Sequence, residues 1–114
     1  MEKISLTALA REHLATARES NSGRSAHTVY GGHEHSLRQT LMAMTAGSTM
    51  DDHESPGEAT LQVLSGRGRL SAGDEAWSIA AGEMVVIPHR RHAVFAEQDF
   101  VGLLTIVRSQ EERA

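Results

Sequence analysis

The chain has 114 residues, 39% hydrophobic and 23% charged, with a formal net charge of -4; that is enough for one domain with one core, and it lacks the basic excess of a dedicated nucleic-acid binder. Aromatic residues make up only 4%, so the core must rest on Leu, Val, Ile, Met and Ala. There is no cysteine, which excludes disulfides, thiolate metal sites and cysteine nucleophiles; no stretch approaches the ~20 apolar residues of a membrane span, and the first residues lack a signal-peptide core, so a cytoplasmic location is expected.

Residues 5–19 read as a helix. Ser5 or Thr7 can cap it, and Leu6, Leu9, Ala10, Leu14 and Ala17 recur near helical spacing. "SNSGRS", Ser20–Ser25, is polar and reads as a linker. Short apolar runs then alternate with turn residues. Strands are expected near Thr28–Tyr30, Leu37–Thr45, Ala59–Leu64, Arg67–Ser71, Ala76–Ile79, Met84–Ile87, His92–Ala96 and Val101–Val107. Many short strands at this spacing indicate an all-β sandwich or barrel. The organisation expected is a helix and linker over 1–25, a β domain over 26–108 and a polar tail over 109–114.

Two segments carry candidate chemistry. In "GSTMDDHESPGEATLQVLSG", Gly47–Gly66, His53 follows a glycine by six positions. In "GEMVVIPHRRH", Gly82–His92, a glycine, a proline and a histidine fall in order. Together these segments resemble the two signature motifs of the cupin superfamily, and in particular its small single-domain bacterial members. The resemblance spans about Leu37–Val107. It implies an antiparallel jelly-roll β-barrel with a short N-terminal helix outside it, a small interior pocket, and pairing into a homodimer. It also implies metal ligands at His53 and His92. The family's second motif-one histidine falls on Ser55 and its glutamate on Ala59, with Glu58 one residue early; the motif-two glycine and asparagine fall on Arg90 and Ala96.

Alternation along "ATLQVL" puts Ala59, Leu61 and Val63 on one face, taken as the interior. Glu58 reaches that face only through a bulge. A second register, Asp51, His53 and Glu58, repeats the spacing with aspartate first. The metal set weighed is therefore His53, His92 and Glu58, for zinc, iron, manganese or nickel. Gln39 shares parity with Leu37 and Leu41, so it is expected to point inward and to line a ligand pocket with Leu61, Val63 and Val94. His33 and His35 read as an exposed loop beside Gly31-Gly32, and His13, His27 and His89 as surface residues. The function expected is a cupin that binds a small molecule, with a divalent metal as a candidate second ligand and no established catalysis. The alternative is a metal-dependent enzyme of the dioxygenase or isomerase type, and whether the chain is an enzyme stays open at this point. Neither nucleic acid nor membrane is expected as a partner.

Overall fold

A computed structural model describes residues 1–53 and 57–108. Helix α1, Leu6–Glu19, begins where Ser5 adopts an extended conformation and its hydroxyl accepts the Ala8 N–H at 3.1 Å, satisfying one of the orphan donors of the first turn. Its stripe of Leu6, Leu9, Ala10, Leu14 and Ala17 packs on Leu41, Ala43 and Val101, with Val29 and Leu64 beside them.

Nine strands follow: β1 Arg24–Tyr30, β2 Leu37–Met44, β3 Thr49–His53, β4 Gly57–Ser65, β5 Arg67–Ala72, β6 Glu75–Ala80, β7 Met84–Val86, β8 His92–Ala96 and β9 Phe100–Arg108. They form two antiparallel sheets, one ordered β1-β2-β9-β4-β7 and the other β3-β8-β5-β6. The sheets face each other across a core of Met42, Met44, Leu61, Val63, Leu70, Val94, Phe100 and Ile106 with their neighbours. The five-stranded sheet is thus covered on both sides, by α1 on one and by the second sheet on the other. Among the described residues no helix is long and apolar enough to cross a membrane.

Three expectations change. The two sheets are not closed into a barrel: β1 and β7 are edges of one, β3 and β6 of the other. β3 is a strand that the sequence concealed, because Asp51 and Asp52 are poor strand formers and pairing with β8 overrides them. β1 starts at Arg24, inside the expected linker; it is an edge strand with little buried surface, so it carries no alternating signal. The expected tail 109–114 lies outside the described residues.

Two close approaches fix the end of the sandwich nearest the helix C-terminus. Gly66 has φ +79°, and a Cβ there would lie 1.9 Å from the Asp99 carbonyl oxygen. A Cβ on Gly68 would lie 2.8 Å from Cε2 of Phe100, whose ring is fully buried. Asp99 ties three elements together. Its Oδ1 accepts the Ala46 N–H at 2.9 Å, and its Oδ2 accepts from Arg18 Nη2 at 2.9 Å and Nε at 3.2 Å. The Ala46 N–H and then the Arg18 guanidinium hold the Asp99 carboxyl below its usual pKa, outweighing the opposing effect of burial.

A carboxyl depressed in the folded state stabilises above its unfolded pKa, about 3.9, and that contribution is lost as pH falls through the folded value. Asp99→Asn is therefore expected to lower the thermal midpoint at pH 7, with the deficit shrinking as pH drops below about 4. Both partners are substantially exposed, at 56% and 38%, so the electrostatic part is about 1 kcal/mol or less. Thermal melts of both proteins from pH 7 to pH 3 check it. Gly68→Ala is expected to cost about 1–3 kcal/mol by overpacking against the Phe100 ring, read from the urea midpoint.

Candidate functional site

β8 alternates strictly: His92, Val94 and Ala96 are buried and the residues between them only half so. His92 therefore points between the sheets. At 4% exposure it is the one buried polar side chain among the described residues. Its Nδ1 lies 2.9 Å from the Arg90 carbonyl oxygen. A carbonyl only accepts, so Nδ1 carries the proton, and the neutral ring has its lone pair on Nε2. A hydrogen bond of this kind orients metal-binding imidazoles.

The backbone register puts His53 directly opposite His92 on neighbouring antiparallel strands. A bulge makes this possible. Met50 pairs with Val94, so three steps along β3, from Met50 to His53, match two along β8, from Val94 to His92. Without the extra residue Asp52 would stand opposite His92. Sequence periodicity gives no sign of this bulge. Of His53 the structure describes the backbone; Ser55, at the family's second histidine position, lies outside the described residues.

Glu58 is not on the same face. From Gly57 to Val63, β4 pairs with β9 without a register shift, and the first irregularity falls between Val63 and Ser65. The bulge that would turn Glu58 inward is absent, so Ala59, Leu61 and Val63 are buried while Glu58 is exposed. Among the described residues no group of three or more His, Cys, Asp or Glu side chains is arranged to hold a metal. His33 and His35 are exposed in the β1–β2 connection, where His35 meets Tyr30 edge-on at 5.3 Å between centroids. His13 is half-buried: its ring stacks on His27 at 4.9 Å and its Nδ1 lies 2.9 Å from the Ser25 hydroxyl.

The four expected pocket residues divide between two faces. Leu61, Val63 and Val94 lie in the inter-sheet core. Gln39 faces the other way. It donates from Nε2 to the Thr105 hydroxyl at 3.2 Å and lines a groove of about 640 Å³ with Ile4, Leu6, Val29, Tyr30 and Leu37, on the helix side of the sheet. Parity with Leu41 was a true signal of burial, but Leu41 is buried under α1. The β2 side chains that share the inner face with Met42 and Met44 are Thr40 and Arg38. The Nε of Arg38 is buried and has no hydrogen-bond partner among the described residues.

No family model and no curated sequence matches the chain. Solved structures do. A conserved protein of unknown function from Streptococcus pyogenes is 26% identical, with a TM-score of 0.71 over 80% of this chain and 79% of that one. A cupin 2 conserved barrel domain protein from Leptotrichia buccalis is 28% identical, with a TM-score of 0.70 over 78% of this chain and 43% of that one. A salicylate 1,2-dioxygenase from Pseudaminobacter salicylatoxidans is 17% identical, with a TM-score of 0.74 over 88% of this chain and 33% of that one; at that identity the likeness is of fold alone.

Because His92 is packed as well as polar, His92→Ala is expected to destabilise the protein by about 2–3 kcal/mol, from the cavity and the lost hydrogen bond to Arg90. Chemical denaturation followed by circular dichroism measures it.

Proposed function

We propose that this chain, a small protein of the cupin superfamily, is a binding module that takes a small molecule at the end of the inter-sheet space marked by His92. The observation that carries this is the buried imidazole, aimed between the sheets with its Nδ1 against the Arg90 carbonyl. A polar group at the end of an apolar interior is the usual make-up of a small-molecule site. The facing orders β2-β9-β4-β7 and β3-β8-β5-β6 support a jelly-roll reading of the fold.

His53 and His92 are the residues that would hold a divalent metal, since directly opposed positions of an antiparallel pair share a face. Such a metal would act as a Lewis acid toward an oxygen of the bound molecule. Two imidazoles make a weaker set than the three protein ligands of a catalytic zinc or the two histidines and carboxylate of a non-haem iron site. Glu58, on the opposite face, does not complete either. The binding reading is therefore preferred to the dioxygenase or isomerase one. Exposed Tyr30, Leu37, Met84, Val86 and Val107, on the five-stranded sheet beyond the helix, support pairing with a second copy.

Metal-free protein dialysed separately against zinc, nickel, manganese and ferrous iron, then assayed for metal content, tests the metal part. About one equivalent of at least one metal at saturation is expected, readily removed by a chelator. It should be lost in His53→Ala and in folded His92→Ala, and unchanged in Glu58→Gln. Equal binding by wild type and His92→Ala, or loss in Glu58→Gln, contradicts the assignment.

A further inference from the structure

Arg38 is on the wrong face for a surface arginine. The β2–β9 register is unbroken from Leu37–Val107 to Met44–Phe100, and Met42 and Met44 belong to the inter-sheet core. Alternation therefore puts Arg38 on that same inner side, opposite Ile106, with Ala59 next in the row across β9. Its neighbours in this row are apolar. Glu58, the acid beside the row in sequence, faces outward. Arg38 enters no hydrogen bond and no ion pair among the described residues, and its Nε is shielded from solvent without an acceptor. A buried cationic N–H left unpaired is among the costlier arrangements in a fold, so Arg38 calls for an acceptor beyond the described residues, which a bound anion can supply.

The same end of the sandwich holds His92. The Ile87 N–H donates to the Ala59 carbonyl at 2.9 Å, which ties the start of the Pro88–Arg91 connection to the Arg38–Ile106–Ala59 row. That connection leads directly into His92, and β3 ends at His53 only a short step before β4 opens at Gly57. Arg38 and His92 thus lie toward the same end of the sandwich.

We propose that the space between the sheets at this end binds a small carboxylate, with the Nε–Nη edge of Arg38 as its anchor. The inference deepens the proposed function, since it names the ligand class of the same site. A guanidinium edge matches a planar carboxylate with two parallel hydrogen bonds. One cation in an otherwise apolar row balances a monoanion and leaves a phosphate dianion only half compensated. The apolar row formed by Ile106 and Ala59 receives the carbon body of the acid.

The test compares acetate, pyruvate and benzoate with acetamide, pyruvamide and benzamide, and with inorganic phosphate, on metal-free protein. Thermal midpoints and calorimetric titration are the readouts. At least one of the carboxylates should raise the midpoint by about 5 °C or more at tenfold its dissociation constant, while its amide and phosphate do not. Arg38→Met should weaken that acid roughly 10- to 100-fold. Without ligand, Arg38→Met should melt at the same temperature as wild type or a few degrees higher, because an unpaired charge gives way to an apolar side chain. Equal effects of acid and amide, a preference for phosphate, the absence of any response to the acids, or an undiminished response in Arg38→Met each overturns the proposal. So does marked destabilisation of unliganded Arg38→Met, which would reveal an acceptor within the chain. Folded His92→Ala separates the two readings: if it loses metal yet keeps an Arg38-dependent acid response, the carboxylate site stands without the metal pair.

Discussion

β9 is the constraint on which the molecule depends. It pairs with β2 on one side and β4 on the other, and its register with β2 runs unbroken over the length of that strand. Successive side chains of β9 therefore go to opposite layers: Phe100, Leu104 and Ile106 into the space between the sheets, Val101 and Leu103 toward the helix side. A slip of one residue would exchange the two sets. It would send Arg38 under the helix, bring Gln39 into the core and turn Glu58 inward. The faces taken by Arg38, Gln39 and Glu58 follow from this one ladder.

The two ends of that ladder differ in how they treat charge. At the Phe100 end, Arg18 and Asp99 form a pair that also takes up the Ala46 N–H. The chain supplies both signs, and the result is structural: helix, β2–β3 turn and β8–β9 turn are held together. At the Val107 end, the Nε of Arg38 has no such counterpart among the described residues, and the His92 Nδ1 lies against the Arg90 carbonyl. Charge is paired within the chain at the first end, while at the second the buried Nε of Arg38 has no acceptor among the described residues.

Much of the fold was legible in the sequence. The helix was expected over 5–19 and runs Leu6–Glu19 with Ser5 as its cap, since cap and spacing agree. The β4 alternation was equally clear, because Ala59, Leu61 and Val63 are separated by residues that stay outside the core. β2 misled for a definite reason. Leu41 to Met44 are all buried, because this sheet has a layer on each side, so parity with a leucine no longer tells inside from outside. Gln39 was assigned to the interior on that ground, and Arg38 was passed over. The bulge before His53 was also illegible. Two aspartates in a strand give no periodicity, and only pairing with β8 reveals that one residue is surplus.

Phe100 gives the interior a direction. Its ring lies against Gly68 and Gly102, where even a methyl group would collide, so this end of the interior is packed tight around one fully buried side chain. On the proposed reading, a guest held at Arg38 and His92 would meet this packed floor and leave by the way it entered. Its residence time would then be governed by the few side chains around that single entrance, which makes the rim, more than the packed floor, the place where related sequences can change what they hold.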